Sequence, residues 1–556
     1  MKSTINIRRG EGILRNEAPR PKGRSFPVRC FLYIVPPGSA LKGGACGALS
    51  GQKGIILPIA LIFLVILSIM GIAAIMTSTS TTAVFGGLRR TDEALYYAEA
   101  GVEAAKKIIA RTSPNFDSVY ARSGLLTGLD STVTYGNGSY SVRILNDEGE
   151  ADPALERNGR YIIHSTGRAS DATKTLEVVV ESFSRFFYFT ELEEAPGTVG
   201  DPDISDRYVF FRTGDNMDGP VHSNNLIHIS GNPTFSALVS SNQSPYKLSG
   251  SAADDSIFLG ATNWSRTVVL PVGPNGTFGD VDDLDDVWTG ALAMGRIYDT
   301  YDTGTASAWE YRVHFRGDQG MKADIYRKDP ATQNWTFVET LTIGAGFNGV
   351  IYFHNGGPVH VGGKIRTTGT ASQIGKLDPA GGVESTVRGR WTICSARNPD
   401  PDHPDIVSPP GEMRIVGDIN YNGSYSGGDP FPTDPTGLLG LVSANNVVIK
   451  EDGEDTAQTI RSSGITIHAS IMAASNDNAT FSVETALLEG VAGSLGRQIN
   501  LLGGIIQFRR GVVGRFNMGG LTQGFQKNYR YDPRLYYMSP PSFPLAMNMK
   551  TKSWRE

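Results

Sequence analysis

The sequence predicts an α+β protein: a long N-terminal transmembrane helix, a small β-meander head, then a mainly β region of parallel β-helix type with an inserted hairpin-rich subdomain. Three observations lead there. Residues 55 to 76, IILPIALIFLVILSIMGIAAIM, are apolar apart from Ser68 and carry no charge. Residues 138 to 184 contain three short runs, SYSVRIL, RYIIHSTG and TKTLEVVVES, with the period-two alternation or β-branched enrichment of strands. Beyond about residue 207, short apolar runs stand between Gly, Asn and Ser turns. The composition agrees, since 66 glycines and 30 prolines in 556 residues exceed ordinary usage without reaching collagen-like or low-complexity proportions. A chain of this length accommodates several domains.

Residues 1 to 54 form a basic leader, with ten Lys or Arg against only Glu11 and Glu17. The remainder holds 41 Lys or Arg and 54 Asp or Glu. At about 1.5 Å per residue the apolar run spans about 33 Å, the hydrocarbon thickness of a bilayer. Basic residues before it and an acidic bulk after it place the N-terminus in the cytoplasm and the C-terminal region across the membrane. A secretory signal peptide fits less well, because the run is too long and passes directly into a helical pattern. A plain single-pass anchor remains a second reading of the span.

The helix continues through TSTSTTAVFGGLRRTDEALYYAEAGVEAAKKIIAR, residues 77 to 111. Leu88, Ala94, Leu95, Ala98, Val102, Ala105 and Ile109 recur mostly at three- and four-residue steps, which lays an apolar stripe along one side. Gly71 and Gly86-Gly87 weaken the helix and mark expected bends or breaks, or close approach between membrane helices. Pro58 falls in the first turn, where its missing N–H has no intrahelical partner.

The leader ending in Lys53-Gly54, the apolar run starting at the next residue and the amphipathic helix beyond it resemble the class III leader of the type IV pilin superfamily. Gly86-Gly87-Leu88-Arg89-Arg90, the pair Tyr96-Tyr97 and Ala98-Glu99-Ala100-Gly101 closely resemble the N-terminal domain of PilX-like pilus-assembly proteins, over roughly residues 50 to 111. The resemblance implies cleavage by prepilin peptidase after Gly54 and a methylated N-terminus at Ile55. It implies a helix over 55–111 with its membrane part at 55–76, packed on a small β head. It also implies a bacterial inner-membrane protein, single-pass, with its C-terminal region periplasmic and later in a pilus or at the cell surface. The implied partners are other pilins and minor pilins, the peptidase, the inner-membrane assembly platform and membrane lipid.

In major pilins the fifth mature residue is Glu, an acid that resembles a partner for a neighbour's N-terminal amine. Here that position is Ile59. A charge in an apolar segment needs a partner, so losing the acid removes the usual means of docking below an existing subunit. The chain therefore reads as a minor subunit, priming or tip, with an assembly role and no catalytic one. The K-type minor pseudopilin also lacks this acid, which keeps a type II secretion pseudopilin as an alternative. A surface β-helix protein that binds or cleaves polysaccharide is the alternative from another class.

The β-meander head is expected over 112–190. The β-helix-like domain is expected over 207–530, with rungs at 219–231, 349–365, 390–395, 413–421, 438–450, 464–474 and 500–511. Gly-Pro-Val-His recurs at Gly219 and Gly357, and Ser223-Asn224-Asn225-Leu226-Ile227-His228-Ile229 echoes Ser443-Ala444-Asn445-Asn446-Val447-Val448-Ile449. Irregular rungs of this kind suggest coils that bury their inward faces against neighbours, although a β-sandwich uses similar strands. Residues from about 250 to 345 read as the insertion, 399 to 412 as a Pro-rich loop and 531 to 556 as a C-terminal tail. The stretch YDPRLYYMSPPSFP at 531 to 544 resembles the large C-terminal domain often fused to PilX-like N-termini.

The best local chemistry is Asp418-Ile419-Asn420-Tyr421-Asn422-Gly423-Ser424-Tyr425-Ser426-Gly427-Gly428-Asp429. Asp418, Asn420, Asn422, Ser426 and Asp429 supply side-chain oxygens and Ser424 a carbonyl, which is the spacing of an EF-hand calcium loop. Against it, Asp429 is shorter than the usual Glu and the flanks read as strands. Asp280, Asp282, Asp283, Asp285 and Asp286 read as a solvated loop. No other cofactor is indicated. His222, His228, His360 and His468 fall inside rungs, where structural histidines are expected, and Arg397 with Asp400, Asp402 and Asp405 lies in the Pro-rich loop. No G-x-S-x-G, H-E-x-x-H, P-loop or C-x-x-C occurs, so the motifs of those enzyme classes are missing. A net charge of −5 leaves no basic excess for a nucleic-acid backbone. Cys30, Cys46 and Cys394 have neither metal spacing nor an even disulfide count. After cleavage only Cys394 remains, and it reads as a small buried residue.

Overall fold

The computed structural model describes residues 56–112, 132–146, 160–195, 208–248, 250–266, 268, 284–299, 301–302, 307–344, 346–354, 357–396, 411–422, 437–451, 459–473, 479–489, 497–517, 520–536 and 539–550. The chain divides into two compact units, Met1–Thr79 and Ser80–Glu556. Helix α1 runs unbroken from Ile56–Thr112. The break expected at Gly71 and Gly86-Gly87 is absent, because a continuous hydrogen-bonded helix absorbs each glycine at a cost of about 1 kcal/mol.

The second unit holds the later part of α1 and, after it, an antiparallel head sheet. Its strands are β1 (Val133–Tyr135), β2 (Gly138–Asn146), β3 (Arg160–Ala169) and β4 (Ala172–Ser182). Two-residue turns at Gly136-Asn137 and Ser170-Asp171 join β1 to β2 and β3 to β4. Gly136 and Ser170 have positive φ, as such turns require. Ala98, Val102 and Ala105 of α1 pack on Val142, Ile144, Ile163, Leu176, Val178 and Val180. Close approach is built in: a Cβ on Gly167 would stand 2.1 Å from the Ala94 carbonyl oxygen and 2.4 Å from the Ala98 nitrogen. The helix backbone thus rests almost directly on the strand backbone.

The rest of the unit is a parallel coil of short strands. One face is built outward by β5 (Tyr188–Leu192), β6 (Val221–Ser223), β7 (Val239–Ser241) and β8 (Thr262–Asn263). The chain then restarts at the opposite edge of the same sheet with β9 (Arg296–Asp299). A second face follows, with β10 (Glu310–Phe315), and β11 (Lys322–Lys328) and β12 (Trp335–Thr342) add to it as an antiparallel hairpin. Next come β13 (Val350–His354), β14 (Val359–Val361), β15 (Arg390–Ala396), β16 (Met413–Ile415), β17 (Leu438–Ser443) and β18 (Val447–Ile449). The last coils hold β19 (Gly464–Ala473), β20 (Phe481–Val483) and β21 (Gln498–Arg509). Strands β22 (Gln526–Tyr531) and β23 (Leu545–Lys550) end the chain's described residues.

The first face has the order β8-β7-β6-β5-β21-β19-β17-β15-β13-β9, all parallel. The second has β12-β11-β10-β14-β16-β18-β20, parallel from β10 onward. The outward arm and the returning arm therefore meet mid-sheet, where Ile505 pairs with Tyr188 and Arg509 with Leu192. Each expected rung run contains strand, and both echoing Ser-x-Asn segments are corners. At each, a serine hydroxyl caps the turn: Asn225 N–H donates to Ser223 Oγ at 3.2 Å and Asn445 N–H to Ser443 Oγ at 3.1 Å.

The expected C-terminal tail contains order of its own: β23 pairs antiparallel with β4 and buries Leu545 in the head core. Gly503-Gly504 explains a further junction. Before it β21 pairs with β22, and after it with β5. A Cβ on Gly503, at φ +152, would meet the Ala469 oxygen at 1.9 Å, and one on Gly504 would meet the Phe186 oxygen at 2.3 Å.

Two outcomes follow from this packing. Gly167→Ala should destabilise the protein by roughly 3 kcal/mol through overpacking, while Gly344→Ala, which faces open space, should change little; denaturant melts of the two variants compare them directly. The buried His222 and His468 imidazoles are both pushed down to about 4 by burial. A base held neutral in the fold and protonated near pH 6.5 when unfolded destabilises as pH falls from about 6.5 to 4, by roughly 3 kcal/mol apiece. Urea midpoints measured across that window should fall steadily, and His222→Asn should flatten part of the slope.

Candidate functional site

The assembly segment is helix α1. Gly54 and Ile55, the expected processing pair, lie outside the described residues. Among the described residues α1 is the one helix long and apolar enough to cross a membrane. Its first turn contains no acidic residue, and Ile59 is 49% exposed. Leu57, Leu61, Phe63, Leu64 and Leu67 are also exposed, so this stretch offers apolar surface all round. Its few hydroxyls are spent internally: Ser68 donates to the Leu64 carbonyl at 2.8 Å, Thr77 to Ala73 at 2.9 Å and Thr79 to Ile75 at 3.0 Å. A hydroxyl bonded to its own helix backbone is not left unpaired toward lipid or apolar neighbours.

The later part of α1 shows what each piece of the sequence motif does. In Ala98-Glu99-Ala100-Gly101, Ala98 and Gly101 are buried against the head while Glu99 and Ala100 face outward. A Cβ on Gly101 would overlap the Ser165 hydroxyl at 2.2 Å. Of the tyrosine pair, Tyr96 is exposed and Tyr97 lies over Gly138 at the β1–β2 turn. Arg89 pairs with Glu93 one turn on at 2.9 Å, and Arg90 reaches Asp171 in the β3–β4 turn at 3.0 Å. These exposed pairs orient the helix more than they stabilise it.

The candidate chemical residues of the coil are dispersed. His222 sits between Ser240 Oγ and Asn224 Oδ1, each 2.8 Å away. The Asn224 oxygen only accepts, so Nε2 carries a proton, and burial, which pushes the imidazole down to about 4, keeps the ring neutral at pH 7. His228 lies among the rings of Tyr208, Phe210 and Tyr246. His360 Nε2 is 3.0 Å from Glu310 Oε2, and His468 Nδ1 accepts the Tyr421 N–H at 3.0 Å. Cys394 is fully buried, and burial pushes its thiol up. The fold does not bring these groups together.

Of the calcium-loop residues, Asp418 accepts the Thr466 N–H at 2.7 Å, Asn420 lies in a two-residue strand and the Asn422 N–H donates to the Val387 carbonyl. Ser424, Ser426 and Asp429 lie outside the described residues. Among the described residues no group of three or more His, Cys, Asp and Glu is placed to hold a metal ion. Asp418 instead borders an open cleft of about 200 Å³ with Lys364, Glu384, Ser385 and Ser463, where Lys364 and Glu384 pair at 2.9 Å. Burial raises the Asp418 carboxyl above its ordinary value. Arg397, Asp400, Asp402, Asp405, Asp280, Asp282 and Asp283 lie outside the described residues; Asp285 and Asp286 open helix α2, Asp285–Met294.

Sequence reasoning missed the buried ions at the junction of the two arms. Arg510 Nη1 donates to Glu193 Oε2 at 2.8 Å, with the two side chains 4% and 0% exposed. The Arg510 guanidinium also lies 4.0 Å from the Phe211 ring centroid. Nothing in local sequence pairs residues more than 300 positions apart, although charged residues flanking apolar rungs were a signal that something compensates them.

Comparison with known proteins fits the helix and leaves the coil unassigned. Residues 155–243 match a domain of unknown function, DUF4900. No curated protein matches the chain. Among solved structures, the competence-associated pilin ComZ from Thermus thermophilus is 11% identical, with 83% of this chain and 98% of that chain covered at a TM-score of 0.30. Residues 53–103 match the PilX N-terminal family, so this stretch is a PilX-like, type IV pilin-like segment.

Proposed function

We propose that this protein is a minor subunit of a type IV pilus, priming or tip, that works by assembly and surface presentation. The observation that carries the reading is an apolar helix start with Ile59 at the position where a repeating pilin holds an acid, within a segment that matches the PilX N-terminal family. After cleavage between Gly54 and Ile55 by prepilin peptidase, the apolar part of α1 resides in the inner membrane. It then packs among the helices of other pilins when the assembly platform extracts it. The basic leader stays cytoplasmic and the β regions enter the periplasm, in keeping with the charge asymmetry across the span.

A non-catalytic role is supported by the state of the reactive groups. The four rung histidines are separate and engaged with neighbouring groups, and the described thiol is sealed in the core.

Immunogold labelling of native filaments tests the reading. Few copies, confined to one filament end, are expected for the natural chain. Ile59→Glu should supply the missing acid and spread the label along the shaft. Uniform shaft labelling of the natural chain would contradict the minor role.

A further inference from the structure

The junction between the coil's two arms contains a pair whose geometry is unusual for a salt bridge. Lys527 Nζ stands 3.4 Å from Asp215 Oδ1 and 3.4 Å from Oδ2. Charge-assisted N–H···O bonds close to about 2.7–2.9 Å on a chosen oxygen. Here the nitrogen stands equally far from both oxygens, in contact with the carboxyl group and with no short bond to either oxygen. The carboxyl is held from behind: the Arg212 N–H donates to Asp215 Oδ2 at 2.9 Å, and the Asp215 N–H donates to the Arg212 carbonyl at 2.9 Å. The lysine is fixed by β22, whose residues pair along β21.

The surroundings favour the uncharged amine. The two side chains are 17% and 14% exposed and share a cavity of about 20 Å³ with Tyr188, Phe211, Met217 and Tyr529. Burial, aided by the Arg510 cation, holds the Lys527 ammonium below its ordinary range, against the opposing pull of Asp215. A neutral amine is the nucleophilic form.

We propose that Lys527 and Asp215 become joined by an intramolecular amide bond once the chain has folded. The ammonium proton passes to the carboxylate, giving amine and acid. The nitrogen lone pair forms the Nζ–Cγ bond, a nitrogen proton moves to the hydroxyl on Cγ, and the Cγ–O bond breaks to release one water. No oxidant, reductant or co-reactant enters, and net charge is unchanged. The bond ties residues 312 positions apart and closes the junction covalently, so that tension on one arm cannot peel it from the other.

The test is mass spectrometry of the full chain purified from membranes and denatured. The expected intact mass is lower than the sequence mass of the processed chain by one water. Trypsin should spare Lys527 and yield a branched peptide joining residues 213–247 to 516–530. Lys527→Arg keeps the cation, should restore the full mass and should lower the melting temperature. Full mass in the natural chain, with cleavage after Lys527, would overturn the proposal and leave an ion pair.

Discussion

The parallel pairing of Tyr188–Leu192 with Ile505–Arg509 is the constraint on which the larger unit depends. The chain winds outward from that line, restarts at the far edge and winds back, so the coil is complete only when its two arms touch. The joint needs small residues, since any side chain on Gly503 or Gly504 would strike the Ala469 or Phe186 carbonyl. It also needs paired ions. Arg510 and Glu193 are buried together, and removing one partner of such a pair typically costs about 3–5 kcal/mol because the other stays buried and unpaired. Closing contacts this distant in sequence carries a loop-entropy cost. The same cost applies to the head, whose outer edge is completed by β23 and its buried Leu545.

Much of the architecture was legible because its signals are local. The apolar run, the three- and four-residue stripe from Leu88 to Ile109 and the alternation in Thr173–Ser182 each report a face that must be buried. The serine-capped corners were visible as an echo between residues 223–229 and 443–449, because the same Oγ-to-N–H bond recurs at each. What stayed hidden was pairing across the chain. LAMNMK at 545–550 alternates apolar and polar only from Met547 on, and only the folded head shows that β4 is its partner. The expectation of a break at Gly71 or Gly86 failed because propensity alone does not interrupt a helix whose ladder is otherwise complete. The calcium spacing shows a further limit, since Asp418 is engaged by a backbone N–H from the next coil.

The division of labour between the units follows from where polarity resides. The described part of the first unit presents apolar surface, with Ser68, Thr77 and Thr79 bonded to the helix's own carbonyls, a surface suited to lipid or to other helices. In the second unit the small-residue face of α1 fixes the head, and the head leads directly into the coil. Burial holds the coil's His222 and His468 below the ordinary imidazole range, and Arg510 is paired with Glu193 at the junction, so this inward chemistry serves stability. A PilX-like N-terminal segment on such a body is consistent with a pilin-like subunit.

The account turns on the start of the mature chain. N-terminal mass spectrometry of the protein isolated from its native membrane should find a methylated Ile55 as the first residue, as prepilin processing requires. An intact leader, or a cut beyond Met76, would contradict the account and leave a tethered or secreted β protein.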